Sequence, residues 1–480
     1  MGGSSNKNSN ENRSNRPQSL EFSKFMKSGW SSISGEAPAR SSVASFAKKR
    51  REALGAAFQD ETIVIEAGLA KCRSNDTTYP FRPNSAFSYL TGWGASSEPG
   101  SVLVGLPSGG RHNWVLYTRG PADRDGDEFY ADSERGEFWT GPRPGLESLS
   151  QLLGIATEEL SAWDIEEHDR KFCAVAGDDN GLADIAEGRD KEGHPNDSRL
   201  AQAISDLRLV KDSYEISEIR NAIESTHRGF ADIVAIIPDA IAHPRGERLI
   251  ESAFHSRARI EGNGVGYGTI AASGEHSCIL HWAENTGRLV PGDLLLVDAG
   301  VERESLYTAD ITRTVPISGT FSHEQLMIYE VVLEASDAAL SLVKPGASLL
   351  ELHHAAMRVI ARGLEKLGLL PVDHATSLSP DGQHHRRFMI HGTSHHLGMD
   401  VHDCARTERK RYLDGPLKKG MVFTIEPGIY IHPNDLTVPK KWRGIGIRLE
   451  DNVLVTKSGG ENLSESIPRT PSEIEEWLRL

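Results

Sequence analysis

Residues 292–300 read GDLLLVDAG, and residues 420–428 read GMVFTIEPG. Each stretch is a glycine, a run of mostly β-forming residues, an acid (Asp298 or Glu426), one further residue and a closing glycine. The unbroken aliphatic run at 294–297, bounded by glycine, predicts a strand buried on both faces. A carboxylate at the end of such a strand loses its hydration and requires a cation, a set of donors or a proton. The approaches match too, RLVPG at 288–292 and PLKKG at 416–420. Each copy is followed by a second acid on another strand-like run, Asp310 in TADITRTVPI and Glu450 in GIGIRLEDNVLV. The repetition predicts two related halves, each contributing two carboxylates.

Side chains two apart on a strand share a face, so Asp310 points with Thr312 and Arg448 with Glu450. If the halves pair about a pseudo-two-fold axis, Asp298, Asp310, Glu426 and Glu450 converge. Four carboxylates cannot ionise together in a buried site without compensation. Two divalent cations would match their formal charge, and an oxygen-dominated donor set suits hard or borderline metals such as manganese. A nitrogen ligand is sought among the seven of nineteen histidines between residues 374 and 402: His374, His384, His385, His391, His395, His396 and His402. Much of this lies in FMIHGTSHHLGMDVHD (388–403), whose Gly and Ser spacing disfavours a helix, and no His-Glu-x-x-His motif occurs. Spacing alone leaves His391, His395 and His402 equal.

A length of 480 residues predicts two or three domains, and 25% charged with 38% apolar residues is ordinary soluble composition. The net charge of -15 argues against a nucleic-acid-binding surface. No apolar run approaches the length needed to span a membrane. Cys72, Cys173, Cys278 and Cys404 lie far apart without a Cys-x-x-Cys pair, which fits free thiols and a cytoplasmic location. Residues 1–38, beginning MGGSSNKNSNENRSNRPQS, read as a disordered tail without a secretory signal. Asn6 stands where a myristoylation pattern needs Ser or Thr.

Residues 39–205 read as an α/β amino-terminal domain. SVASFAKKRREALGAAF (42–58) has helical character, and ETIVIEAGLA (61–70), SVLVGLP (101–107), HNWVLYT (112–118) and FCAVAG (172–177) read as strands. Residues 206–480 form the second domain. Near its start Asp212 and Glu215 form a capping box, with Ile216, Ile219 and Ile223 on one helix face. HEQLMIYEVVLEASDAALSLV and LLELHHAAMRVIARGLEKLG add further helices, so helices covering one side of a largely antiparallel sheet are expected.

Asp298, Asp310, His395, Glu426 and Glu450, set in VDAG, DITRT, HGTSHHLGMDVHD, TIEPGIYI and GIRLEDNVLV, stand in the order of the ligands of the pita-bread metallopeptidases. Within them the chain resembles the aminopeptidase P (Xaa-Pro aminopeptidase) family from about residue 206, and more loosely in FRPNSAFSYLTGW (81–93). HWAEN (281–285) is similar to the aminopeptidase P form of that loop rather than the prolidase form. The loop between Asp298 and Asp310 is one residue longer than the family pattern, which leaves the hairpin's conformation open. The resemblance implies an α+β fold, a pita-bread catalytic domain with a pseudo-two-fold antiparallel sheet covered by helices, behind a smaller α/β domain. It implies two divalent ions, with manganese expected. Asp298 would chelate one, His395 and Glu426 the other, and Asp310 and Glu450 would bridge them. Glu426 would take a proton from the attacking water, and His281, His391 and His402 would line the substrate pocket, His402 facing the oxyanion. Tyr267 and Arg448 match the proline-side pocket, though Arg448 equally suits orienting Asp298. The implied activity removes an amino-terminal residue preceding proline. A dipeptide-specific prolidase is the alternative, and a non-catalytic binding module a weaker one. Peptides with proline second are the expected partners, in a homodimer or homotetramer.

Ordinary readings compete. One buried Asp at a strand end usually caps a turn or pairs with a cation; four in a repeated arrangement do not. His353, His354, His384, His385 and His396 carry no assigned role. Tyr267 and Trp282 would also suit a core. EGNGVGYG (261–268) lacks the preceding strand and following helix of a dinucleotide site.

Overall fold

The computed structural model describes residues 19–31, 38–75, 77–163, 172–175 and 195–479. The chain divides into two units, Met1–Leu200 and Ala201–Leu480. The division falls within a single helix, Pro195–Arg208, which also contains the boundary expected at 205.

In the first unit, helix α1 (Leu20–Met26) lies in the stretch expected to be disordered. Ser19 caps it, its hydroxyl accepting the Phe22 N–H at 3.2 Å. Phe22 and Trp30 meet Tyr130 and Phe129 edge-on, at 5.9 and 5.4 Å between ring centres. These apolar residues supply the surface that the preceding Asn/Ser-rich stretch lacks, which is why the tail reading does not extend to them. Its remainder, residues 1–18 and 32–37, lies outside the described residues. Helix α2 (Ala44–Ala57) precedes β1 (Thr62–Glu66), β2 (Val102–Ser108), β3 (Arg111–Thr118), β4 (Ala156–Glu159) and β5 (Phe172–Val175). They form one mixed sheet in the order β4-β3-β2-β1-β5. Strand β4, ATEE, has no apolar alternation to announce it. Its place comes from parallel pairing beside β3, Val115 opposite Ala156.

In the second unit, α3 (Ser213–Ala242) starts at the expected capping box. Asp212 Oδ1 accepts the N–H groups of Tyr214 and Glu215 at 3.0 Å, and Glu215 Oε2 accepts the Asp212 N–H at 2.9 Å. Ile219 and Ile223 are buried. Helix α3 packs on α4 (Gly246–Glu261), and α5 (His323–Ser341) packs on α6 (Leu349–Lys366). A set of antiparallel strands follows each helix pair. The first set is β6 (Ile270–Ser273), β7 (Leu294–Ala299) and β8 (Ile311–Pro316), with β7 in the middle and buried throughout. The second set pairs β9 (Val422–Ile425) with β12 (Asp451–Val455), and β10 (Gly428–Ile431) with β11 (Ile445–Arg448). The duplicated sequence is thus a duplicated helix-pair-plus-strands unit.

The halves join where their second acids lie. The Glu450 N–H donates to Thr312 O at 3.1 Å. The Asp310 N–H donates to Asn452 Oδ1 at 3.2 Å, and Asn452 Nδ2 returns a bond to Asp310 O at 2.5 Å. The Asp298-to-Asp310 loop closes in a tight turn. The Arg303 N–H bonds Tyr307 O at 2.9 Å, and Leu306 takes a left-handed φ of 71°. Arg313 locks the seam from behind, 1% exposed, with all five guanidinium N–H groups used. They reach the carbonyls of Pro468, Thr312, Glu450 and Ile467 and the Asp451 carboxylate at 2.7 to 3.2 Å. Arg313→Met keeps most of the stem but orphans these acceptors. It is expected to cost about 3–5 kcal/mol of unfolding free energy, measured by denaturant titration.

Candidate metal centre

Strand ends deliver the acids. Asp298 is the last residue but one of β7 and Glu426 follows β9, while Asp310 and Glu450 stand on the two sides of the seam, where Thr312 pairs with Glu450. Asp310, His395 and Glu450 offer ligand atoms that all lie within 4.8 Å of one another. His395 Nε2 is 3.2 Å from Asp310 Oδ2, 3.5 Å from Glu426 Oε1 and 4.0 Å from Glu450 Oε1. Its Nδ1 lies 3.2 Å from the His396 carbonyl, an arrangement that keeps a proton on Nδ1 and fixes Nε2 toward the carboxylates. Spacing left three histidines equal; among the described residues His395 meets three of the acids, whereas His391 reaches Glu426 alone, at 3.6 Å.

The surrounding bonds aim the acids. Arg448 Nη2 donates to Asp298 Oδ2 at 2.6 Å, and its other nitrogens reach Thr312 Oγ1 and the Tyr430 hydroxyl at 3.0 Å each. Thr312 Oγ1 in turn donates to Glu450 Oε2 at 2.7 Å. Of the two readings weighed for Arg448, the structure places its guanidinium on Asp298. Tyr267, expected beside the substrate, directs its hydroxyl at Asp298 Oδ1 (2.7 Å) and Asp310 Oδ1 (2.6 Å). One hydroxyl has one proton and cannot donate fully to both. This shortage of positive charge is what a cation among the same oxygens would relieve, and the donor set, one imidazole and four carboxylates, fits divalent metal ions.

The pKa shifts report the same crowding. Burial, then the Asp310 and Glu426 carboxylates, push Glu450 well above the usual range. Burial likewise raises Glu426 to about 7, against the opposing pull of His395. Burial alone would lower His395, but the bond to Asp310 and the charge of Glu426 hold it up at about 9.

The remaining histidines gather at one end. His402 lies edge-on to His395 with ring centres 4.5 Å apart. His281 lies within electrostatic range of both His391 and His402. His391 is held by Tyr430. Arg448 donates to the Tyr430 oxygen, leaving the phenolic proton for His391 Nε2 at 2.9 Å, while His391 Nδ1 lies 2.7 Å from the Gly392 carbonyl. Both ring nitrogens are therefore taken, and His391 forms a fixed wall. Burial and the Arg448 charge lower its pKa to about 4, so the ring is neutral.

Tyr430 was missed in the sequence. Its signal was there: Glu426, Gly428 and Tyr430 alternate onto one face of the chain leaving β9. A second missed group is Asp403, next to His402. Its buried carboxylate lies between Arg208 Nη2 at 2.5 Å and Lys211 Nζ at 3.2 Å, and pins the loop that presents His402. His396 is a structural residue, buried against Tyr412.

Comparison with known proteins places this arrangement. Residues 217–457 match Metallopeptidase family M24, and residues 47–179 match the Aminopeptidase P, N-terminal domain. Xaa-Pro aminopeptidase 2 of Streptomyces coelicolor is 44% identical over 465 residues, covering 96% of each chain. Xaa-Pro aminopeptidase of Escherichia coli is 36% identical over 460 residues, covering 89% of this chain and 96% of the relative. The low-pH form of E. coli aminopeptidase P superposes with a TM-score of 0.77 at 32% identity, over 91% of this chain and 98% of that one. A zinc-substituted form of the same enzyme in complex with product gives 0.76, over 92% and 99%. The duplicated sheet with its converging acids is the pita-bread fold, and the chain belongs to metallopeptidase family M24.

Proposed function

We propose that this chain is a dinuclear, manganese-dependent Xaa-Pro aminopeptidase, hydrolysing the bond between an amino-terminal residue and a following proline. The observation that carries the reading is the meeting of Asp298, Asp310, His395, Glu426 and Glu450 at the seam of the duplicated sheet, with three histidines at one end. Relatives named Xaa-Pro aminopeptidase that align over nearly the whole chain support the substrate class. Asp298 would hold one ion, His395 and Glu426 the other, and Asp310 and Glu450 both. Bound ions would supply a nucleophilic hydroxide at neutral pH and polarise the scissile carbonyl. Arg448 and Tyr267 keep Asp298 and Asp310 in their rotamers. Glu426 Oε2, 3.6 Å from His391 Nδ1, is turned toward the histidine end and is the oxygen placed to take a proton there. His402, presented by the Asp403 clamp, donates to the developing oxyanion. His281 and the His391 wall bound the peptide. The enzyme acts in the cytoplasm as a homodimer or homotetramer. Among the described residues no helix is long and apolar enough to cross a membrane.

Xaa-Pro-Xaa tripeptides should be cleaved; hydrolysis confined to Xaa-Pro dipeptides would establish a prolidase instead. Asp310→Ala or Glu450→Ala should release metal, seen by elemental analysis, and abolish turnover. His402→Ala should keep its metal and lose about 10²-fold in kcat, the effect of removing one oxyanion donor. Loss of metal from that variant would place His402 among the ligands.

The pH dependence of the metal-free protein follows from the raised values. A group whose folded pKa is raised stabilises the fold below its unfolded value and loses that contribution as pH rises through the folded one. For Glu426 this window runs from 4.5 to about 7, and for His395 from 6.5 to about 9. Both act in the same direction. The gap in melting temperature between manganese-loaded and chelator-treated protein should therefore widen from pH 5 to pH 8 in scanning fluorimetry. A gap that narrows contradicts the charge crowding described above.

A further inference from the structure

A second buried carboxylate stands apart from the cluster. Glu247, in the first turn of α4, is 0% exposed. Its Oε1 accepts the Ser273 N–H at 2.8 Å and a bond from His276 Nδ1 at 2.7 Å. Its Oε2 accepts the Trp282 Nε1–H at 2.9 Å and the Gly287 N–H at 2.6 Å. Four donors fill the four lone-pair directions of a carboxylate, and such charge-assisted bonds are what make a fully desolvated anion tolerable. All four come from one stretch of chain, residues 273–287, which leaves β6 and contains His281.

The bonds straddle His281. Ser273 and His276 lie before it, Trp282 immediately after, and Gly287 closes the loop, its carbonyl taking the Glu247 N–H at 3.2 Å. His276 and Trp282 stack with ring centres 3.9 Å apart, so the two donor side chains hold each other in place. Nothing larger than hydrogen fits at Gly287, where a Cβ would lie 2.6 Å from Glu247 Oε1. Further ties fix the stretch to the sheet. Ser277 Oγ accepts the Gly446 N–H at 3.1 Å, and Asn285, at a left-handed φ of 48°, bonds Thr269 O and the Ala271 N–H at 2.9 Å each. His281 itself is exposed, and its backbone carbonyl takes the Ala283 N–H at 3.0 Å, a bond within the same stretch. Its place is set by its neighbours.

We propose that Glu247 is a positioning residue for His281, its carboxylate fixing the chain on both sides of that histidine and so aiming the ring at the His391 and His402 end of the site. The proposal rests on the reading of His281 as a substrate-contacting residue. An acid is required at this position. Glutamine would turn an NH₂ group toward two of the four donors and leave them buried and unpaired.

The test uses the manganese-loaded full chain. Glu247→Gln should retain its metal and accelerate amide exchange in residues 273–287 by about tenfold or more, a local opening that leaves β7 and β8 unchanged. Its kcat/KM should fall about 10²-fold, as expected for a misplaced contact group. The double variant with His281→Ala should be no slower than His281→Ala alone. His276→Asn, which keeps an N–H near the place of Nδ1, should stay near the parent activity, whereas His276→Ala should fall toward Glu247→Gln. Unchanged exchange, losses that multiply in the double variant, or His276→Asn as impaired as His276→Ala would each overturn the proposal. Should Glu247→Gln fail to fold, Trp282→Phe removes one donor and keeps the stack. It is expected to loosen the same segment, and unaltered exchange there counts against the idea. A fully active His281→Ala removes the substrate role of His281 and the catalytic half of the proposal with it. Faster exchange in Glu247→Gln with multiplying losses removes the positioning alone.

Discussion

Like-charge repulsion among buried carboxylates is the constraint on which this catalytic unit depends. Asp298, Asp310 and Glu450 are each 8% exposed or less, and Glu426 stands beside them. Without metal, the hydroxyls of Tyr267 and Thr312, the Arg448 guanidinium and the His395 imidazole are the nearest sources of positive character among the described residues. They are too few for four acids in a medium of low dielectric. The fold holds the acids together nonetheless, because each is carried by a strand whose pairing is fixed on other grounds: β7 by burial on both faces, β12 by the Arg313 lock. The result is a fold that spends stability on keeping anions close until a cation arrives, the kind of stored frustration that marks functional sites.

One chain of contacts ties this charge arrangement to the recognition end. Asp298 holds Arg448, Arg448 holds the oxygen of Tyr430, and Tyr430 directs its proton at His391. The neutral state of His391 follows from burial first, and then from the same guanidinium that aims Asp298. The placing of Asp298 and that of His391 are set by shared groups, so neither can be altered independently.

Much of this was legible in the sequence, and for identifiable reasons. The β7 and β9 strands announce themselves because burial on both faces demands continuous apolar runs, and the duplication shows because the same glycines and acids recur. The Asp212 capping box is a local signal and appears as such in the structure. Where information is non-local, the sequence was silent. Strand β4 exists through its neighbour's hydrogen bonds rather than its own composition. The Asp403 clamp joins residues 208, 211 and 403, and Glu247 gathers donors from 26 to 40 positions downstream. Nothing in the spacing of Glu247 distinguishes it from a surface acid on a helix. Choosing His395 over its neighbours required either resemblance or geometry, because a loop without periodicity does not state where its rings point.

The seam between Thr312 and Glu450 also dictates when the site comes into being. Its two sides are 138 residues apart in the chain, so a nascent chain emerging from the ribosome holds Asp298 and Asp310 long before Glu450 is available. Pairing over such a separation is entropically late in folding. Half of the set leaves two acids without the partners that complete the cluster. The four carboxylates are therefore brought together only once residue 450 has been made and the seam has paired.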